Sequence, residues 1–339
     1  MERILWIGNP FFVNKLAEAG WKTVFSHYFE GMTTFTYDDL VRLAGFAPDC
    51  LVVADKSIPP FVLGVEDMPC LTVFYAVDSH LQSWYPYYAQ AFDLCLLSLK
   101  DHIPLFANAM LPDDRIIWSP PYAQDAFRPK EKSPEKEWDC LFVGPVNTRT
   151  PKRKVFLDEL KGLFPPLHVQ WGNFVELFPK AKVVLNYCEH GDLNFRVFEA
   201  LGLGSALVTP RIANGQDMLF KEGIHFLLFD PEKPGDCLKA ILHLLEDDSH
   251  RVSLGKNGLK AIDEAHRASH RALSFTEHLR KLWPDRKEII AQRRAKAPFI
   301  RKNFLRLPYL LWAKEIKDDT IRGRYLAYAQ NTPPKQTAS

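Results

Sequence analysis

No apolar stretch in this 339-residue chain approaches the ~20 residues that a membrane-spanning helix needs, so no segment reads as a transmembrane span. Cysteine is sparse. None of the six (Cys50, Cys70, Cys95, Cys140, Cys188, Cys237) stands in a C-x-x-C pair, and most lie in apolar runs such as Leu94–Leu97. They read as buried thiols in a reducing compartment, which argues against a disulfide framework or a zinc site. There is no D-x-D triad, only adjacent pairs such as Asp38-Asp39 and Asp113-Asp114, whose side chains diverge on a strand. There is no H-E-x-x-H. His266 and His270 stand four apart on an expected helix, but among charged neighbours and with no third ligand in view, so no metal centre is expected. The absence of G-x-G-x-x-G leaves no case for NAD. A formal net charge of +2 is too small to argue for nucleic acid. Met1 leads almost directly into the strand-like run Ile4–Ile7, so no signal peptide is expected and the anticipated compartment is the cytoplasm.

What is present is ordinary globular material, 47% hydrophobic and 25% charged, in a length that suits two domains. The first third alternates short apolar runs with helical patterns. Arg3–Gly8, Leu51–Ala54, Leu71–Tyr75, Leu94–Leu97 and Ile116–Trp118 read as buried strands, with helices around Phe12–Ala19, Asp38–Ala44 and His102–Ala109. That texture indicates parallel βαβ units. Ser119–Glu137 then breaks it with four prolines and seven charged residues from Arg128 on, and reads as a linker. The alternation restarts at Cys140–Val143 and runs to a long helical stretch over Leu254–Leu279. The expected architecture is α/β: two doubly wound domains facing a cleft, joined by a Pro-rich hinge, with a helical tail. The expected boundaries are 1–120 for the first domain, 121–137 for the linker, 138–282 for the second domain, 283–330 for a basic helical tail, and 331–339 for a disordered end.

One segment carries specific chemistry: the strand, polar loop, helix and glycine turn from Asn186 to Thr209. The loop meets the helix start, where free N–H groups and a positive dipole end could hold a diphosphate. Glu199 follows about one turn later, and a carboxylate there can accept both hydroxyls of a ribose. A solvent-facing Glu in an ion pair is the plainer alternative. The run Asn194-x-Arg196-x-Phe198-Glu199-Ala200-x-x-x-Gly204 resembles the signature of the glycosyltransferase group-1 superfamily, and is most similar to the branch that includes spore-coat maturation glycosyltransferase-like proteins. The resemblance implies a GT-B fold and a nucleotide-sugar donor, UDP- or GDP-linked, bound without a cofactor. It implies that Glu199 holds the ribose, and that Asp192, Asn194 and Arg196 face the diphosphate and sugar. Well-studied retaining members carry a second Glu eight positions earlier. Here that position is Gly191, with Glu189 and Asp192 displaced to either side, so the sugar contact and the stereochemical outcome stay open.

Further matches are less specific. Val73–His80 resembles the family's strand-end segment of the first domain, which implies a catalytic role for Asp78 and His80. A carboxylate or imidazole there could take the acceptor proton or stabilise a sugar cation. A helix cap at Asp78 with His80 in the first turn is an equal reading. Trp84, Tyr85, Tyr87 and Tyr88 follow, and aromatic faces suit sugar rings. Gly144 ends a strand before Arg149, Lys152 and Arg153. Relatives neutralise the leaving diphosphate at this place, and a metal-free enzyme needs fixed cations there. A solvated basic loop is the alternative. Gly8 and Asn9 match a turn that borders the acceptor.

The tail is basic: Lys281–Arg324 holds 13 Lys/Arg against 5 Asp/Glu. Residues 293–312 interleave cations with Phe299, Ile300, Phe304, Tyr309 and Trp312, a content that suits the inner membrane surface, where a lipid-linked acceptor would lie. Packing back onto the first domain is the favoured reading, because Pro298 and Pro308 should interrupt a long amphipathic helix. No nucleic-acid motif accompanies the charge. The expected function is metal-independent hexosyl transfer to a glycan, glycolipid or protein, in cell-surface glycan biosynthesis. The alternatives are a GT-B-shaped sugar-nucleotide epimerase and a non-catalytic binding module.

Overall fold

A computed structural model describes residues 2–132 and 134–330; the expected disordered end at 331–339 lies outside the described residues. Described residues up to Ser119 and from Ala272 onward form one compact unit, and Pro120–Arg271 form the other.

The first unit is built on six parallel strands: β1 (Arg3–Gly8), β2 (Thr23–His27), β3 (Cys50–Ala54), β4 (Leu71–Ala76), β5 (Leu94–Leu97) and β6 (Ile116–Trp118), in the order β2-β1-β3-β4-β5-β6. β3, β4 and β5 are buried along their whole length, as expected of central strands covered on both faces. Its early helices are α1 (Tyr37–Ala44), α2 (Tyr85–Ala89) and α3 (Ile103–Phe106). The helix expected over Phe12–Ala19 is only one 3-10 turn, Val13–Lys15. Phe12 is drawn instead into an aromatic cluster with Trp6, Tyr75 and Phe275, at ring separations of 5.3, 5.5 and 6.0 Å.

The second unit has five parallel strands: β7 (Trp138–Val143), β8 (Leu167–Gln170), β9 (Ala181–Leu185), β10 (Ala206–Pro210) and β11 (Leu227–Phe229), in the order β11-β10-β9-β7-β8. Its helices are α4 (Pro151–Leu163), α5 (Phe174–Leu177), α6 (Phe195–Gly202), α7 (Gln216–Leu219), α8 (Pro234–Glu246) and α9 (Asp248–Ala265). One apolar layer puts α4 and α8 on the sheet, and another puts α6 and α9 there. The long helix expected over Leu254–Leu279 is broken at His266–Arg267, where α9 ends and α10 (Ala268–Leu282) begins.

The break clamps the expected hinge. Ala123 exchanges backbone bonds with His266 and Ala268, both at 3.0 Å. Arg267 donates to the carbonyls of Gln124, Phe127 and Gly202, and Arg271 to those of Pro120 and Pro121. The Pro-rich segment is thus part of the second unit. His266 and His270 both take part in this clamp. His266 faces the Arg271 guanidinium, and burial with that charge pushes its pKa down to about 3. His270 Nδ1 accepts the Arg267 amide at 3.1 Å.

The division at 282 is also redrawn, because the chain from Ala272 returns to the first unit. There Trp21 Nε1 donates to Thr276 Oγ1 at 2.8 Å. The tail forms α11 (Arg286–Ala295), α12 (Ala297–Ile300), a π-turn over Arg301–Leu305, α13 (Arg306–Glu315) and α14 (Asp319–Ala329). Ile300, Leu305, Tyr309, Ala313, Tyr325 and Ala329 complete the core of the first unit. Arg293 is buried with them, paired with Asp93 and donating to Thr72 Oγ1 at 2.6 Å and to the Cys70 carbonyl at 2.9 Å. All six cysteines are free and buried. Among the described residues no helix is long and apolar enough to cross a membrane.

Candidate functional site

In open parallel sheets ligands bind beyond the carboxyl ends of the strands, where the strand order reverses. In the second unit that point lies between β7 and β9. The loops leaving them, and the helices that follow, bring four of the expected donor residues together. The Arg196 guanidinium lies directly against Gly144: a Cβ added there would come within 2.9 Å of Arg196 Nη1. Arg196 and Arg153 both stand over the Phe142 ring, at 5.5 and 5.7 Å. Arg196 Nε is buried without a hydrogen-bond partner. Glu199 lies one turn along α6 from Arg196. Burial pushes its carboxyl up to about 6, against the pull of the Arg196 charge.

The start of α6 is left open. Asn194 occupies its N-cap position, but its side chain makes no cap bond. The Asn194 amide instead pairs with Asn186 at 3.4 Å, and Asn186 is itself fastened to Thr209 Oγ1 at 3.1 Å. The Asn194 side chain therefore does not cap the first-turn amides of α6, which lie beside the Arg196 guanidinium. The start of α4 differs. Glu189 seals it, its two carboxylate oxygens accepting from the amides of Lys152 (3.0 Å) and Arg153 (2.9 Å). The Lys152 side chain is exposed, and Arg149 is exposed on the preceding loop, so neither joins the Arg153–Arg196 pair. Gly191 has φ +73°, a left-handed backbone that a Glu would adopt only under strain. With Glu189 turned back to α4, half-buried Asp192 is the acid of this loop left near Arg196, and Glu199 approaches it from the helix. A pocket of about 700 Å³ also opens in this unit, lined by Lys152, Phe156, Tyr187, Glu189, Pro210 and Ile212; Glu199 is not part of its wall.

In the first unit the order reverses between β1 and β3. Gly8 ends β1 so close to β3 that a Cβ would fall 2.0 Å from the Ala54 carbonyl oxygen, and its φ is +109°. Asn9 contributes a carbonyl, which accepts Trp6 Nε1 at 2.8 Å. Just beyond β3 lies Asp55, which sequence reasoning did not single out. Its buried carboxylate accepts from the amides of Ser57 (2.7 Å), Val77 (2.8 Å) and Asp78 (2.7 Å), and from the Tyr85 hydroxyl. Burial and the nearby Asp78 charge raise its pKa, while these donors oppose the rise. Asp78 in turn accepts the Ser57 hydroxyl.

Asp78 is not a helix cap. A turn follows it, and α2 begins only at Tyr85. His80 is half-buried near His102, whose Nδ1 meets Ser79 Oγ at 3.0 Å; burial and then the His80 charge lower the His102 pKa. Trp84 is half-buried and packed edge-on against Tyr85, Tyr88 and Trp312, at 4.5, 5.5 and 6.4 Å, at the seam with the tail. Tyr85 and Tyr88 are core residues, and Tyr87 is exposed.

Residues 149–277 match the family described as glycosyl transferase-like. They span α4 to α10 and include Arg153, Arg196 and Glu199. The fold is GT-B, and the segment similar to the glycosyl transferase-like family covers most of its second unit. Similar folds include HepE from Anabaena, solved with UDP and glucose (TM-score 0.61, 12% identity, 83% of this chain and 100% of that one). Sucrose-phosphate synthase from Thermosynechococcus elongatus is also similar (0.56, 11%, 84% and 100%). So is a glycosyltransferase from Rickettsia africae (0.51, 9%, 85% and 99%). No curated protein matches the chain by sequence. None of these likenesses singles out the spore-coat branch. Within this GT-B framework the group-1 signature coincides with the uncapped helix, while the Asp55 cradle lies outside the matched segment.

Proposed function

We propose that this protein transfers a sugar from a nucleoside diphosphate donor to an acceptor, and that it does so without a metal. The observation that carries the reading is the open start of α6 beside Arg196 and Arg153, with Glu199 one turn further on. Amides and two guanidinium groups can hold a diphosphate and take up the charge that builds as it leaves. The Glu199 carboxylate can accept both ribose hydroxyls, and the Asn194 side chain pairs with Asn186 instead of capping the helix start. HepE was solved with UDP and glucose, which supports a UDP-sugar as the first donor to try.

In the first unit Asp78 is the proposed base for the acceptor hydroxyl. Its loop is pinned by Asp55, and its carboxylate already sits in a hydrogen bond. His80 is the proposed sugar-orienting residue. Asp192 is the proposed donor-sugar contact, because Gly191 cannot supply the second Glu of retaining relatives.

Calorimetry with UDP and GDP, together with product analysis on UDP- and GDP-sugars with and without a glycan or glycolipid acceptor, tests this. Glu199→Ala is expected to weaken nucleotide binding about ten-fold or more, as loss of hydrogen bonds to a charged group requires. Asp78→Asn is expected to lower kcat by roughly 10²–10⁴-fold with donor affinity kept. Donor consumption that does not depend on acceptor would instead mark an epimerase or hydrolase. Tight nucleotide binding with no turnover would mark a binding module.

A further inference from the structure

The tail carries two faces, and only one of them is used by the fold. From Ala297 to Glu315 the chain is helical throughout, because the π-turn over Arg301–Leu305 takes up one extra residue. That extra residue keeps Ile300 and Leu305 on the same buried side as Tyr309 and Ala313. Pro298 falls in the first turn of α12 and Pro308 in the first turn of α13, so neither interrupts the helix as the sequence suggested.

The opposite side is open. Phe299, Leu307 and Leu311 are 51%, 58% and 56% exposed, and the Phe299 ring leans on half-buried Phe304 at 6.1 Å. Around them stand Arg294, Lys296, Lys302, Arg306 and Lys314, all exposed. None of these five forms an ion pair among the described residues, whereas the neighbouring Arg293 and Arg301 are tied to Asp93, Glu66 and Asp67. No acidic residue occurs between Arg293 and Lys314; the nearest, Glu315, Asp318 and Asp319, lie together at one end.

We infer that this face binds the surface of an anionic lipid bilayer. Three large apolar side chains held in solvent gain by entering the headgroup boundary. Unpaired cations beside them meet lipid phosphates, and Lys302, Arg306 and Lys314 share the helix of the apolar groups, with Arg294 and Lys296 just before it. Neither the lipid nor the face enters the transfer reading, so the inference stands or falls apart from it.

Flotation of the full chain with vesicles of phosphatidylcholine, alone or mixed with phosphatidylglycerol, tests it. The unchanged protein is expected to float with the anionic vesicles and to stay behind with phosphatidylcholine alone. K302E/R306E is expected to lower binding at least about ten-fold, since each cation near such a surface is worth about five-fold. L307S/L311S is expected to lower it as well, and to do so at high salt too, where the charge contribution fades. All four positions are exposed, so both variants should melt with the unchanged protein. Three results would overturn the inference: no flotation, equal flotation on neutral and anionic vesicles, or binding indifferent to both double substitutions. Capture of DNA or self-association through this face without flotation would overturn it as well.

Discussion

Asp55 holds the backbone amide of Asp78 at 2.7 Å from beneath, so the proposed base is positioned by a second, buried acid. The same carboxylate serves Val77, Ser57 and Tyr85. Asp55→Ala leaves several buried donors without a partner, each costing about 1–3 kcal/mol, and is expected to lower the melting temperature sharply. Asp55→Asn keeps the shape but brings an NH2 group against donors. It is expected to fold, to keep nucleotide affinity, and to lose at least about ten-fold in kcat. Unchanged kcat in folded Asp55→Asn would show that the cradle does not position Asp78.

Glu199 makes nucleotide affinity depend on acidity. Its carboxyl titrates at about 6 in the unliganded protein, and only the ionised form offers full acceptance to a ribose diol. Affinity for UDP or GDP is expected to fall as pH drops through 6, and the fall should be shallower in Glu199→Gln, where only the nucleotide's own terminal phosphate titrates in that range. Stability moves the other way. The folded pKa lies above the ordinary carboxyl value of 4.5, so this group's contribution is fully present below 4.5 and is lost as pH rises through about 6. The loss is about 2 kcal/mol at most. Calorimetry and thermal melts between pH 4 and 8 check both signs.

Arg153 and Arg196 share the Phe142 ring and are the proposed counterions of the leaving group. Turnover is therefore expected to survive EDTA. Arg196→Met, which keeps bulk against Gly144 but removes charge, is expected to lower kcat/KM by at least about a hundred-fold. Loss of turnover on chelation, restored by Mn²⁺ or Mg²⁺, would refute the metal-free reading.

Arg293 is the buried link between tail and first sheet. Arg293→Ala leaves Asp93 without its ion-pair partner and is expected to cost about 3–5 kcal/mol, read as a large drop in urea midpoint. Arg294→Ala, one residue on and exposed, is expected to change stability by no more than about 0.5 kcal/mol.

Central strands were legible because β3, β4 and β5 are apolar on both faces. β2 and β8 were not. Both are sheet edges, mostly half-buried, and Thr23–His27 and Leu167–Gln170 mix polar and apolar residues without a continuous run. The return of the tail to the first unit was expected from its apolar groups, but the point where it begins, Ala272, lies inside α10 and left no local mark, and the buried anchor Arg293 is of a type that pattern reading assigns to a surface. At the site, Arg196 and Glu199 stood out in a run of fixed spacing, and Gly144 only as the glycine at a strand end before a basic loop. Asp55 and Glu189 did not, since each acts by accepting backbone amides of a distant segment, and amides carry no signature in a sequence. Arg149 and Lys152 were grouped with Arg153 by proximity in the chain, but only Arg153 turns inward.

The return of the tail imposes an order on synthesis. Pro120–Arg271 are all made before the ribosome reaches Leu305, Tyr309 and Tyr325, which the first unit needs to close its core. The half of the protein that is translated first is therefore finished last. While the whole of Pro120–Arg271 is being made, the nascent first unit lacks the tail residues that complete its core.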